Sequence, residues 1–172
     1  MACNLSNGRV LPCKSSVGGL KNVFFGPYST VTAALSPSSG SITLDDAVSF
    51  YKYEIKGNSS VETTITSSRE NGTTFYETAV NLTFTYLDVA TQEQIKLLAP
   101  GRPQIVVEDY NGNFFLIGKD HGAEVTGGTI VTGAAMGDLS GFTLVFTAQE
   151  TAPPFFCSEP TDDSVTPINP TP

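Results

Sequence analysis

An antiparallel β-sandwich or barrel with one short flanking helix is the fold class this chain predicts, and three observations predict it. Two-residue alternation recurs along the chain, most clearly between Ser59 and Tyr86. There Val80, Leu82, Phe84 and Tyr86 fall on one face of a strand, and Asn81, Thr83 and Thr85 fall on the other, as in a half-buried strand. Turn signals built from Gly, Asn and Pro separate these segments, and only one stretch has helical spacing. No strand–helix–strand alternation occurs, which argues against the parallel α/β folds.

The elements follow in order. Residues 1–20 are polar and glycine-dotted and read as an N-terminal arm. The β domain is expected over 21–151. Asn22–Phe25 is a short first strand stopped by Gly26-Pro27. Residues 27–40 are turn-rich, and Ser41–Leu44 forms another short strand. Ser49–Lys56 alternates, with Tyr51, Tyr53 and Ile55 opposite Lys52, Glu54 and Lys56. A long hairpin comes next, joined through Ser68-Arg69-Glu70-Asn71-Gly72; its strands exceed the usual length of about 5–6 residues.

Thr91-Gln92-Glu93-Gln94 has the form of a capping box, and Ile95 and Leu98 share a helical face. A helix is therefore expected over about 91–99, ended by Pro100-Gly101. It is too short to stand alone and must pack on the sheet. Gln104–Asp109 and Phe114–Gly118 form a second hairpin, in which Asn111-Gly112 is expected to supply the two positive φ values of a type I′ turn. Phe114–Ile117 is apolar on both faces, which calls for a central strand covered on both sides. The glycine-rich stretch 122–141 allows a bulged strand or a loop. Gly141–Thr147 is a last alternating strand. From 152 to 172 the chain is Pro-rich and polar, and an extended or disordered tail is expected.

Composition sets outer limits on function. The 172 residues include 40% hydrophobic ones, enough for one domain with a real core. Charged residues are only 15%, against about 25% in ordinary domains, and Ser, Thr, Asn and Gly take their place. Nine basic and seventeen acidic residues leave a net charge of −8, which opposes tight binding to nucleic-acid phosphates. Cys3, Cys13 and Cys157 make a poor disulfide framework, no Cys-x-x-Cys pair exists, and His121 is remote, so reduced thiols are expected and no zinc site. No apolar run approaches the roughly 18 residues of a membrane span. The N-terminus shows no apolar signal region, so cytosolic synthesis is expected. The glycosylation-type triplets at Asn4, Asn58, Asn71 and Asn81 then read as by-products of composition. A secreted, glycosylated adhesion domain would need an export signal.

Patterns for chemistry are sparse. Asp120-His121 has no Gly-x-Ser-x-Gly elbow and no identifiable serine partner, so His121 reads as a loop or strand-end residue. Glu108-Asp109 and Asp45-Asp46 are paired carboxylates of the kind used in acid–base work or for a hard cation; beside turns, they read as solvated charges. The 122–141 glycines lack the Lys-Ser/Thr and following helix of a phosphate loop. Tyr51, Tyr53, Phe84, Tyr86 and Phe115 have no interleaved basic residues and read as core rather than as a stacking platform. No catalytic residue, metal or cofactor is assigned, and the chain is read as a non-enzyme.

Several stretches resemble the tail tube (major tail) proteins of tailed bacteriophages. They are Cys13-Lys14 with Val17-Gly18-Gly19-Leu20-Lys21, then Ser67 to Phe75, then Gly101-Arg102-Pro103-Gln104 running into Val107 to Gly112. Gly118 to Gly122 and Gly137 to Leu144 complete the set. The resemblance extends from residue 13 to 148 and excludes the Pro-rich end. It implies two packed antiparallel sheets with a flanking helix, and a virion structural protein whose hexameric rings join sheet to sheet and stack into a tube that conducts DNA during ejection. It also implies a tape-measure protein inside, terminator and baseplate proteins at the ends, residence in the virion tail, and assembly in the host cytoplasm.

A conduit needs a wall that does not hold phosphates. The polar faces of the long strands suggest that Lys52, Glu54, Lys56, Glu62, Thr64, Glu77, Asn81, Thr83 and Thr85 line the lumen. The loop Arg69, Glu70, Asn71 and Gly72, with the 1–20 arm and 122–141, is expected to make inter-ring contacts. DNA would pass without specific binding. The alternative is a capsid- or fibre-associated decoration module sharing the β-sandwich composition.

Overall fold

The computed structural model describes residues 8–11, 13–28, 41–44, 49–55, 58–162 and 168. It is a two-layer β-sandwich, not a closed barrel. The elements are β1 (Leu20–Gly26), β2 (Ser41–Ile42), β3 (Tyr51–Glu54), β4 (Ser60–Ser68), β5 (Thr73–Thr85), α1 (Val89–Leu98), β6 (Gln104–Asp109), β7 (Phe114–Ile117), β8 (Glu124–Val131), β9 (Gly141–Glu150) and β10 (Phe155–Cys157). One sheet has six strands in the order β2-β10-β7-β6-β1-β3, and the other has four in the order β4-β5-β9-β8. Every pairing is antiparallel except the short β10–β2 contact and a single bridge between Phe50 and Asp162.

The main core lies between the sheets. Alternation sends Val80, Leu82 and Phe84 of β5 and Phe142, Leu144 and Phe146 of β9 inward, against Val23 and Phe25 of β1 and Ile105 and Val107 of β6. Aromatic rings tie the layers together: Phe25 lies 5.3 Å from Phe146 and 5.3 Å from Tyr53, and Tyr53 lies 5.8 Å from Phe84. Burying each such phenylalanine stabilises the fold by about 1.5–3 kcal/mol. A second cluster covers the far face of the six-stranded sheet, where Phe24, Val106 and Leu116 meet Ile42, Leu44 and Phe50. This double cover explains why β1, β6 and β7 are apolar on both faces. As expected, β7 is central, flanked by β6 and β10.

Four expectations change. The helix begins at Val89, and its cap is Asp88, whose carboxylate accepts from the Thr91 amide at 2.9 Å. Thr91 is therefore three residues inside rather than the cap; an extended Asp88 reaches the same free N–H with a charged acceptor. Ile95 and Leu98 do pack on the core, as their spacing requires. The β6–β7 turn is not type I′. Of Asn111 and Gly112 only Gly112 has positive φ, at 79°, because Asp109 organises a four-residue loop by accepting from the amides of Asn111 and Asn113, both at 2.8 Å.

Glu108-Asp109 is not a pair of solvated charges. Glu108 is 7% exposed, with Asn22 donating to one oxygen at 2.5 Å and Lys21 to the other at 2.8 Å. The Pro-rich end is partly integrated: β10 pairs with β7, so the six-stranded sheet recruits residues beyond 152. The glycine-rich stretch is a strand, β8, with a register shift between Val125 and Gly127, followed by the loop 132–140. Lys56, Asp45, Asp46 and the 29–40 turn segment lie outside the described residues.

Candidate functional site

The surface that gathers the sequence-selected residues is the outward face of the four-stranded sheet. Register fixes its membership. Opposite the core-facing Thr78, Val80, Leu82 and Phe84, β5 presents Glu77, Ala79, Asn81, Thr83 and Thr85. Pairing of Glu62 with Ala79, Thr64 with Glu77 and Ser60 with Asn81 places the polar residues of β4 beside them. β9 contributes Thr143, Val145, Thr147 and Gln149, and β8 contributes Glu124, Thr126 and Thr129.

The face is hydroxyl-rich and internally bonded. Thr129 and Thr143 hydroxyls lie 2.6 Å apart, and Thr126 and Thr147 lie 3.0 Å apart. Gln149 donates to Glu77 at 2.7 Å. Cross-strand hydroxyl pairs of this kind rigidify a sheet face modestly. None of the four strands contains Lys or Arg. Glu62, Glu77 and Glu124 supply the charge, and the exposed Arg102 approaches Glu124 at 4.0 Å from the loop after α1. Both outer strands of this sheet, β4 and β8, are edges among the described residues. β4 pairs in continuous register from Ser60 to Ser68 and carries no Lys, Pro or bulge, the usual devices that protect an edge.

Six of the nine selected residues, Glu62, Thr64, Glu77, Asn81, Thr83 and Thr85, share this face. Lys52 and Glu54 do not. They sit on β3, the edge of the other sheet, opposite Phe24 and Asn22, with their side chains on the side away from the main core. Alternation reads the same in both strands, and only sheet membership separates them. Arg69, Glu70, Asn71 and Gly72 are exposed at the tip of the β4–β5 hairpin. Pairing of β5 with β9 ends at Tyr76–Glu150, while β4–β5 pairing continues to Ser68–Thr73, so the tip projects as a two-stranded ribbon.

Two polar clusters escaped sequence reasoning. The first is Lys21, Asn22 and Glu108. The second centres on Glu150, which accepts from the backbone amides of Asp120 and His121 at 3.1 and 2.9 Å and lies 3.2 Å from His121 Nδ1. Arg102 donates to the His121 carbonyl and Tyr28 to the Asp120 carbonyl at 2.6 Å. The contacts shown for this second cluster brace the 118–122 loop, and no serine is among them. Among the described residues no group of His, Cys, Asp or Glu has metal-binding geometry, and no helix is long and apolar enough to cross a membrane. Comparison with protein-family models, curated proteins and solved structures returned no match to this chain.

Proposed function

We propose that this chain is a self-assembling tail tube subunit of a tailed bacteriophage, stacking as hexameric rings whose four-stranded sheets line a conduit for DNA. One observation carries the reading: a sheet face with no Lys or Arg in any of its strands ends, among the described residues, in two open edges. Such a face repels phosphates weakly and offers them no cationic ligand, as a passage for DNA requires. An edge such as β4, with no Lys, Pro or bulge, is a template for pairing with another strand. A head-to-tail ring removes both edges at once, β4 of one copy meeting β8 of the next. The projecting hairpin supports the reading further, because a two-stranded ribbon is marginal unless something packs on it. Tape-measure, terminator and baseplate partners belong to the same proposal, as do residence in the virion tail and a non-enzymatic role.

Negative-stain electron microscopy of the concentrated protein tests it. The expected result is rings or tubes with a bore wide enough for a DNA duplex of roughly 20 Å. Monomers bound singly to capsids or fibres would instead support the decoration module.

A further inference from the structure

The chain contains three Asn-Gly steps, at residues 7–8, 71–72 and 111–112. Asn7 lies outside the described residues. The other two steps sit in hairpin turns, and both glycines take positive φ, 63° at Gly72 and 79° at Gly112. Asn followed by Gly is the step at which a chain can attack itself. With no Cβ on the glycine, its backbone nitrogen can reach the asparagine Cγ. By sequence the two turns are equivalent, and hydrogen bonding separates them.

Asn111 is locked. Its Oδ1 accepts from the Val17 amide at 2.9 Å, and its Nδ2 donates to the Val17 carbonyl at 2.8 Å and to Asp109 at 3.2 Å. The nucleophile is held too, since the Gly112 amide donates to the Asp109 carbonyl at 3.2 Å. Attack at Cγ must first give up these bonds, and each one lowers the population able to react. Asn71 stands at the exposed tip of the β4–β5 ribbon. Its amide donates to Ser68 Oγ at 3.3 Å, but among the described residues no hydrogen bond engages its carboxamide or the Gly72 amide. Pairing of β5 with β9 stops at Tyr76, so no third strand holds the tip, and such a turn opens at low cost.

We propose that Asn71 is a site of spontaneous deamidation, while Asn111 is protected from the same reaction. The Gly72 nitrogen loses its proton to solvent and bonds to Asn71 Cγ. Ammonia leaves with the electrons of the Cγ–Nδ2 bond, taking up a proton in turn. Water then opens the cyclic imide at either carbonyl, leaving an aspartyl or an isoaspartyl residue. One water is consumed for each ammonia released, and nothing is oxidised or reduced. The products change the tip. Arg69 and Glu70 balance there, and a carboxylate at position 71 leaves it negative on a chain whose net charge is already −8. The isoaspartyl form also adds a backbone carbon to a turn closed by the Ser68–Thr73 pair. The site does not rest on the proposed function, since it uses only the chemistry and the geometry of the turn.

The test holds full-length protein, dilute and folded, in warm, mildly alkaline buffer for days. Trypsin, to which the Arg102-Pro103 bond is resistant, places Asn71 in a peptide of residues 70–96 and Asn111 in one of residues 97–119. Mass spectrometry then reads the conversion of amide to acid in each. Asn71 should react about tenfold or more faster than Asn111. That ratio corresponds to about 1.4 kcal/mol, which the release of a few hydrogen bonds supplies. In urea the two rates should converge, because the two steps are then equally open. The Asn71→Gln variant should leave the 70–96 peptide unmodified, which separates Asn71 from Asn81 in the same peptide. Comparable rates in the folded protein, a faster Asn111, modification that persists in Asn71→Gln, or a folded-state Asn71 that stays intact while the urea-unfolded chain reacts each overturns the proposal.

Discussion

Glu108 is the last residue but one of β6, beside a polar turn, yet its carboxylate is enclosed and both oxygens are occupied, by Lys21 and Asn22. Burial alone would raise its pKa. The hydrogen bonds from Lys21 and Asn22 and the nearby charges of Lys21 and Lys52 outweigh that and hold it below the ordinary value. A carboxyl depressed in the folded state stabilises above its unfolded pKa and loses that contribution as pH falls through the folded value. Stability is therefore expected to drop on acidification below about pH 4.5, the ordinary value for this group, with Asp109, likewise depressed, adding to the loss. Urea midpoints between about pH 6 and pH 3 would show a shallower fall for Glu108→Gln than for the parent. Asn22→Ala, which strips a buried oxygen of its donor, should cost about 1–3 kcal/mol at neutral pH. The acidic pair is visible in the sequence. Its partners are not, because Asn22 is 86 positions away and only the β1–β6 pairing brings it alongside.

At the scale of an element, α1 shows how a local signal can be read correctly in kind and displaced in position. Thr91 and Asp88 are both good cap residues, and the chain uses the one whose extended backbone can leave β5 and still aim a carboxylate at the Thr91 amide. Asp88→Ala is expected to lower stability by about 1 kcal/mol. Thr91→Ala should cost less, since its amide, which the substitution keeps, makes the capping bond. Thermal unfolding of the two variants distinguishes the caps; the reverse order would restore Thr91. The β6–β7 turn follows the same logic. Asn-Gly proposes a two-residue turn, but Asp109 offers its carboxylate to both Asn111 and Asn113, and four such bonds select the longer loop.

For the whole molecule the decisive property is segregation of charge between layers. All described basic residues lie outside β4, β5, β8 and β9, on the arm, the other sheet, the helix or the loops. Edges matter as much. Ile65 is 65% exposed on the unprotected strand β4. Ile65→Lys places a charge at that edge, a natural block to strand addition. The variant should fold with a melting temperature within a few degrees of the parent, since an exposed site changes stability by at most about 0.5 kcal/mol, yet form no rings at concentrations where the parent does. Sedimentation velocity reads this directly. Unchanged assembly would remove β4 from the interface and with it the ring geometry proposed here.

The sequence by itself determined the fold class, most strand positions, the existence of the helix and the composition of the hydroxyl-bearing face, because alternation and turn residues act over a few positions of chain. Only the tertiary structure decided which strands share a sheet. That choice separated Lys52 and Glu54 from Glu62 and Glu77, drew Phe155–Cys157 into the six-stranded sheet, and enclosed Glu108. The physical reason is common to all three. Strand order is settled by which apolar faces bury together over long sequence separations, and a period of two is the same whichever partner a strand finds.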